Sequence, residues 1–286
     1  MTAQESVART TWRGRACALI RRRRSLSWPA VVVIVVVLLV TTQLWRVLAR
    51  PRDAFWERIT ASGTWRVAMD ASFPPFEDLD EAGRPLGFDV DLARAIAARW
   101  GVQVQFEGVG FDGLVDAVWA SRVDAAISAL PFQPQLSKDV AFSPPYFEAG
   151  LVLVTPAADV SIQTLDDLAG RRLAVEWGSE GDVQARALKR HSPGVQILAL
   201  ETAQDALQAI VDGRADGALV DRISALRAAA AEPRIRIAPK AIVSDPYVVV
   251  LPRKAPVLQQ KVAEALQALE ADGTLNALTA KWLGGN

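Results

Sequence analysis

A seven-residue pattern occurs twice in this chain, and few architectures accommodate it. Ser121-Arg122-Val123-Asp124-Ala125-Ala126-Ile127 is echoed by Gly213-Arg214-Ala215-Asp216-Gly217-Ala218-Leu219. Each copy follows a helical run: Leu114, Val115, Val118 and Trp119 at helical spacing before the first, Ala209-Ile210-Val211 closing the second. Val123, Ala125 and Ile127 then alternate as a strand would. The first strand enters an irregular, aromatic and Pro-rich segment, Ala129-Leu130-Pro131-Phe132-Gln133-Pro134, that leads on to Phe142-Ser143-Pro144-Pro145-Tyr146; the second ends at Val220-Asp221. Helix, turn, strand and loop in duplicate predict two related lobes. Each lobe offers a strand end to a shared cleft, the place where α/β sheets bind ligands.

The chain has 286 residues, enough for one two-lobed domain. Lys plus Arg and Asp plus Glu balance at 32 each, so no nucleic-acid partner is expected. The single cysteine, Cys17, excludes an internal disulfide, and the fold must rest on its core. With one histidine and one cysteine, no transition-metal site and no cofactor are expected. His191, between Lys189-Arg190 and Ser192-Pro193, reads as an exposed helix end.

Residues 1–25 form a basic segment that includes Arg21–Arg24, and 26–48 form an apolar run flanked by Trp28 and Trp45. As a helix that run covers roughly 30 Å, one hydrocarbon core. The arginines are expected to stay in the cytoplasm, with everything after residue 50 exported. The run reads as an uncleaved anchor or as a signal cleaved near Val47-Leu48-Ala49. Residues 49–62 read as a charged linker, and 63–286 as the folded domain.

Within that domain strands and helices alternate, which argues for α/β. Trp65–Met69 reads as a first strand ending at Asp70. Gly87-Phe88-Asp89-Val90-Asp91 opens a helix with carboxylates in its first turn, and Gly101 stops it. Gly150–Val154 reads as one crossing between lobes, and 244–251 as the return. Ala255–Asp272 and Thr274–Trp282 read as closing helices. Asp89 and Asp91 read as structural, Asp124 and Asp216 as turn-fixing, and Trp100 and Trp119 as core.

In this order and spacing, several segments carry a resemblance: Asp70-Ala71-Ser72-Phe73-Pro74-Pro75-Phe76, Gly87-Phe88-Asp89-Val90-Asp91-Leu92, Phe111-Asp112-Gly113-Leu114, Phe142-Ser143-Pro144-Pro145-Tyr146 and Asp272-Gly273-Thr274-Leu275 with Lys281-Trp282. From about Gly63 to Gly284 the chain resembles the extracytoplasmic solute-binding proteins of family 3, which serve polar amino-acid ABC transporters. The resemblance implies a two-lobed periplasmic-binding-protein fold of type II, with two crossing hinge strands and, here, a preceding transmembrane helix. Lobe one is expected at about 63–145 and 248–286, lobe two at about 151–243. It also implies a monomer, a small-molecule solute and an ABC permease as partner. With no kinase, cyclase or channel segment in the chain, delivery is the expected role.

By that resemblance Phe73 and Phe111 sandwich the ligand, Asp221 takes its ammonium group, and Gly178, Ser179 and Glu180 line the second lobe's side. Two positions depart from the family. Its threonine is Pro131 here, and the arginine that clamps the ligand's α-carboxylate is Leu136, with Lys138 two residues on. The remaining set, Asp70, Glu176, Glu180 and Asp221 with Phe73, Phe111, Phe132 and Trp177, is acidic and aromatic. Such a set suits an organic cation. Two other readings stay open: a ligand-responsive or ligand-free partner protein with a degenerate pocket, and an enzyme like the cyclohexadienyl dehydratases, with Glu176 or Glu180 as general acid.

Overall fold

The computed structural model describes residues 28–48, 53–192 and 194–284. It divides into two compact units, Met1–Arg50 and Pro51–Asn286. In the first, α1 (Trp28–Leu48) is a 21-residue helix, about 32 Å long at the α-helical rise. Its described side chains run from Trp28 to Thr41, apart from Ala30, and Val31–Val40 are exposed. Among the described residues no helix is long and apolar enough to cross a membrane. The basic segment 1–25, Cys17 and Ala49 lie outside the described residues.

The second unit begins earlier than the sequence implies. Residues 54–62, read as linker, are helix α2 (Ala54–Ser62), with Ile59 fully buried and Phe55 and Trp56 packed on the core. Asp53, 2% exposed, fastens this helix to the body. One carboxylate oxygen accepts the Phe55 and Trp56 N–H groups at 3.0 and 3.1 Å, and the other accepts those of Val257 and Leu258 at 2.9 and 3.0 Å. One side chain thus caps two helices, satisfying amides that each would otherwise leave unpaired.

From there the chain runs β1 (Thr64–Met69), a hairpin of β2 (Asp78–Leu79) and β3 (Pro85–Leu86), α3 (Phe88–Trp100), β4 (Gln103–Gly108), α4 (Leu114–Trp119), β5 (Ala125–Ala126) and β6 (Val140–Phe142). It crosses on β7 (Phe147–Glu148). It then builds β8 (Leu151–Pro156), β9 (Arg172–Glu176), α5 (Glu180–His191), β10 (Gln196–Leu200), α6 (Ala203–Val211), β11 (Gly217–Asp221), α7 (Arg222–Ala231) and β12 (Ile235–Val243). The return is β13 (Pro246–Tyr247), followed by β14 (Val250–Pro252), α8 (Pro256–Ala271) and α9 (Thr274–Trp282).

Two five-stranded sheets result, in the orders β4-β1-β5-β14-β6 and β10-β9-β11-β8-β12. Each has three parallel strands laid down as βαβαβ and, next to them in the sheet, a strand antiparallel to its neighbours, β14 in the first and β8 in the second. The repeated sequence pattern explains the match. Asp124 accepts the Arg66 N–H and guanidinium at 3.0 and 2.9 Å, and Asp216 does the same for Arg172 at 2.8 and 2.8 Å. In both lobes the aspartate before the third strand clamps the arginine of the first.

Two local readings change. Gly150–Val154, read as a crossing, falls from Leu151 on in a central strand of the second sheet, β8, which is buried along Leu151–Thr155 and paired on both sides. Its continuous apolar run marks a strand covered on both faces; the crossings are β7 and β13, paired with each other. Trp119 is 64% exposed rather than core, because the face of α4 that packs is Leu114, Ala117 and Val118. Trp100 does pack, edge-on against Trp56 and Trp65.

Candidate functional site

The cleft-facing end of the first sheet is set by buried side chains. Where β1 ends, Asp70 donates its N–H to Ser128 Oγ at 3.0 Å and accepts the Phe111 N–H at 2.7 Å. The carboxylate therefore holds the Phe111 turn beside it. Ser128 donates to Glu77 at 2.8 Å, while Asp89 accepts the Ala129 N–H at 2.6 Å and the Tyr146 hydroxyl at 2.9 Å. Those bonds hold Ala129 at φ +46, a left-handed conformation that costs of order 1 kcal/mol or more without glycine.

Glu77 and Asp89 are each 1% exposed, and a hydrogen bond joins their side chains. Burial, and then the charge of Asp89, push the Glu77 carboxyl up to about 10. Burial raises Asp89 to about 6 against the pull of the Ala129 amide. At neutral pH the pair therefore keeps a proton.

The crossing strands floor the cleft. Glu148 accepts the Ser244 hydroxyl at 2.9 Å and the Asp245 N–H at 2.6 Å, and the Ala149 N–H donates to the Asp245 carbonyl at 3.0 Å. Gly150 has no alternative here, since a Cβ would lie 1.8 Å from the Val243 carbonyl oxygen. Burial, and then the Glu148 charge, raise Asp245 above its ordinary value.

On the second sheet's side, Asp221 ends β11 and caps α7 by accepting the Ser224 N–H at 2.8 Å. Glu180 begins α5 and accepts from Gln184 at 2.7 Å. The α5 N-terminus is occupied internally: Ser179 caps the Asp182 N–H, and Asp182 accepts from Gly178 while pairing with Arg186. Ile223, one residue past Arg222, packs toward the first lobe's core.

Two cavities follow. One, of about 350 Å³, lies against the first sheet and takes in Asp70, Phe73, Glu77, Phe111 and Pro131. The other, of about 530 Å³, lies against the second and takes in Glu180, Asp221 and Ile223. They share Phe73, Asp245 and Tyr247. Among the described residues five carboxyls line the pair (Asp70, Glu77, Glu180, Asp221, Asp245), and no Lys, Arg or His does.

Of the residues picked from sequence, the cavities bring together Asp70, Phe73, Phe111, Glu180 and Asp221. Phe132 sits outside them, edge-on to Phe142. Trp177 is 73% exposed, and Glu176 and Ser179 line neither cavity. Leu136 packs on the core cluster around Leu114 and Val118, and exposed Lys138 lines neither cavity, so neither stands where a carboxylate clamp would. Sequence reasoning missed Glu77, Asp245 and Tyr247. The signal for the last two was their place on the return crossing, which any two-lobed cleft uses as its floor.

A model of the bacterial extracellular solute-binding proteins, family 3, matches residues 65–285. The chain belongs to that family. Among family relatives, it is 27% identical over 242 residues to the ABC transporter arginine-binding protein 1 of Escherichia coli, covering 82% of this chain and 97% of that protein. Among solved structures, the L-cystine solute receptor of Neisseria gonorrhoeae in its unliganded open conformation aligns with a TM-score of 0.69 at 27% identity, covering 80% of this chain and 96% of the receptor. An ancestral cyclohexadienyl dehydratase aligns with the same TM-score at 26% identity, over 81% and 97% of the two chains. The two-lobed α/β fold is thus that of family 3.

Proposed function

We propose that this family 3 protein captures a small solute bearing an amine or guanidinium group and delivers it to an ABC permease outside the cytoplasmic membrane. The observation that carries the reading is the lining of the cleft among the described residues: five carboxyls, the aromatic rings of Phe73, Phe111 and Tyr247, and no basic side chain. An ammonium or guanidinium group gains charge-assisted hydrogen bonds there, and ring faces add cation–π attraction. A free α-carboxylate gains nothing comparable. Pro131 offers no donor, Leu136 packs on the core, and at the start of α5 the Gly178 and Asp182 amides are already engaged by Asp182 and Ser179. The arginine-binding relative supports a cationic solute, and no reaction is assigned to the cleft.

Asp221 is proposed as the main contact on the second lobe and Asp70 on the first, with Phe73 and Phe111 enclosing the solute. We also propose that Trp28–Leu48 tethers the domain to the membrane, on the strength of its apolar sequence and the arginines before it.

Thermal unfolding of the full-length chain in detergent tests the reading. A ligand at a hundredfold its Kd stabilises by about 2.7 kcal/mol, which for a domain of this size raises Tm by roughly 5–10 °C. Arginine, agmatine and simple amines are expected to raise Tm, and glutamate and glutamine to leave it unchanged. A rise with glutamate or glutamine alone overturns the cationic assignment.

A further inference from the structure

We infer that the solute is a dication without a carboxylate that lies across the crossing strands: one charged end by Asp70 and Glu77, the other by Glu180 and Asp221, with Asp245 between them. This rests on the cationic reading above and narrows it. The two cavities are a single trough with a seam, because Phe73, Tyr247 and Asp245 belong to both. Each half carries its own carboxyls, so one positive charge leaves the other half without a counter-ion.

Asp245 is placed for this task. Its N–H is held by Glu148 and its carbonyl by Ala149, so its backbone is pinned from both sides. Its carboxylate receives no hydrogen bond or ion pair among the described residues, so it is available to a solute. Glu77, 1% exposed, lines the first cavity and is held there by Ser128 and Asp89. Phe73 and Tyr247 offer an apolar wall for the alkyl chain joining the two charges.

A cation at the first end also offsets the Asp89 charge, which after burial is what holds the proton on Glu77. The ionisable groups facing Glu77 are Asp89 from α3, Asp70 at the end of β1, and Tyr146 and Tyr247 from the crossings. The carboxylates among them oppose its ionisation, and the two tyrosines stay neutral. A bound ammonium works against that field and lowers the Glu77 carboxyl, so binding is accompanied by proton release.

Isothermal titration of the full-length chain in detergent at pH 7.5 tests this with 1,4-diaminobutane, 1,5-diaminopentane, n-butylamine and L-ornithine. At least one diamine is expected to bind tenfold or more tighter than n-butylamine. Its heat should change between Tris and phosphate buffers in the sense of proton release. Asp245→Asn is expected to weaken that diamine at least tenfold while shifting Tm of the empty protein by less than 2 °C. Equal affinity for diamine and n-butylamine overturns the dication while leaving a cationic solute standing. An unchanged diamine affinity in Asp245→Asn overturns the role of Asp245. Binding of L-ornithine without either diamine overturns the carboxylate-free reading and this inference together.

Discussion

The two lobes are built to one plan and finished in two ways. Both lay down βαβαβ and both clamp the first strand to the third through an Arg–Asp pair. In the first lobe Asp124 is buried, with its carboxylate 1% exposed, and takes a second arginine, Arg58 of α2; in the second, Asp216 is 30% exposed and among the described residues pairs with Arg172 alone. The contrast continues at the cleft. The first lobe sets its strand end with a buried network of Ser128, Glu77, Asp89 and Tyr146, whereas the second uses helix caps, Asp221 and Ser179, near the surface. The same pattern in sequence therefore predicts shared topology, and burial decides how much each copy contributes to stability.

The largest expected difference lies in the clamps themselves. Asp124→Ala leaves the Arg66 amide without its acceptor beside two half-exposed guanidiniums and is expected to cost about 2–3 kcal/mol, while Asp216→Ala costs about 1 kcal/mol. Urea unfolding of the two variants measures both, and equal losses would break the comparison. Asp53→Ala removes two helix caps at once on the first lobe. A loss of about 1–4 kcal/mol is expected, read from the same unfolding midpoint, with a loss under 0.5 kcal/mol restoring the linker reading of 49–62.

Acidity sharpens the contrast further. Glu77 and Asp89 have folded-state values above their unfolded ones, so the folded protein binds more protons than the unfolded chain between them. The stability this contributes is complete below about pH 4. It is lost as pH rises, through about 6 for Asp89 and toward about 10 for Glu77. Glu77→Gln is expected to flatten that decline and to raise stability at pH 9 by about 1–3 kcal/mol relative to its effect at pH 5. Unfolding midpoints at pH 5, 7 and 9 check it, and parallel declines in both proteins would remove the pair as the cause. The smallest effect is expected on the second lobe's rim, where Trp177→Ala should change stability by less than about 0.5 kcal/mol and amine affinity less than twofold. A tenfold loss in titration would return Trp177 to the site.

Much of this was legible beforehand, for identifiable reasons. Glycines with positive φ, such as Gly101 and Gly213, end their helices where the sequence puts them, and the repeated Arg-x-Asp pattern marks the third strand of each lobe. The misread linker shows the limit. Glu57 and Arg58 make it look like solvated surface, and the partner amides of Asp53 lie some two hundred positions away at Val257 and Leu258. Strand ends could be found, but the direction of each side chain could not. Phe132 and Trp177 follow the right strands and line neither cavity, while Glu77 and Asp245 enter the trough from segments without a regular pattern.

These antiparallel strands carry a consequence for how the molecule is made. β8, the strand just after the outward crossing, serves the second sheet, and β14, just after the return, serves the first. All five strands of the second sheet exist once Val243 has been synthesised, while the first sheet stays incomplete until Val250–Pro252 arrives. Asp53 waits longer still for its second helix. The half of the protein encoded first is thus the last to be finished, and the half inserted into it is the earliest that can fold.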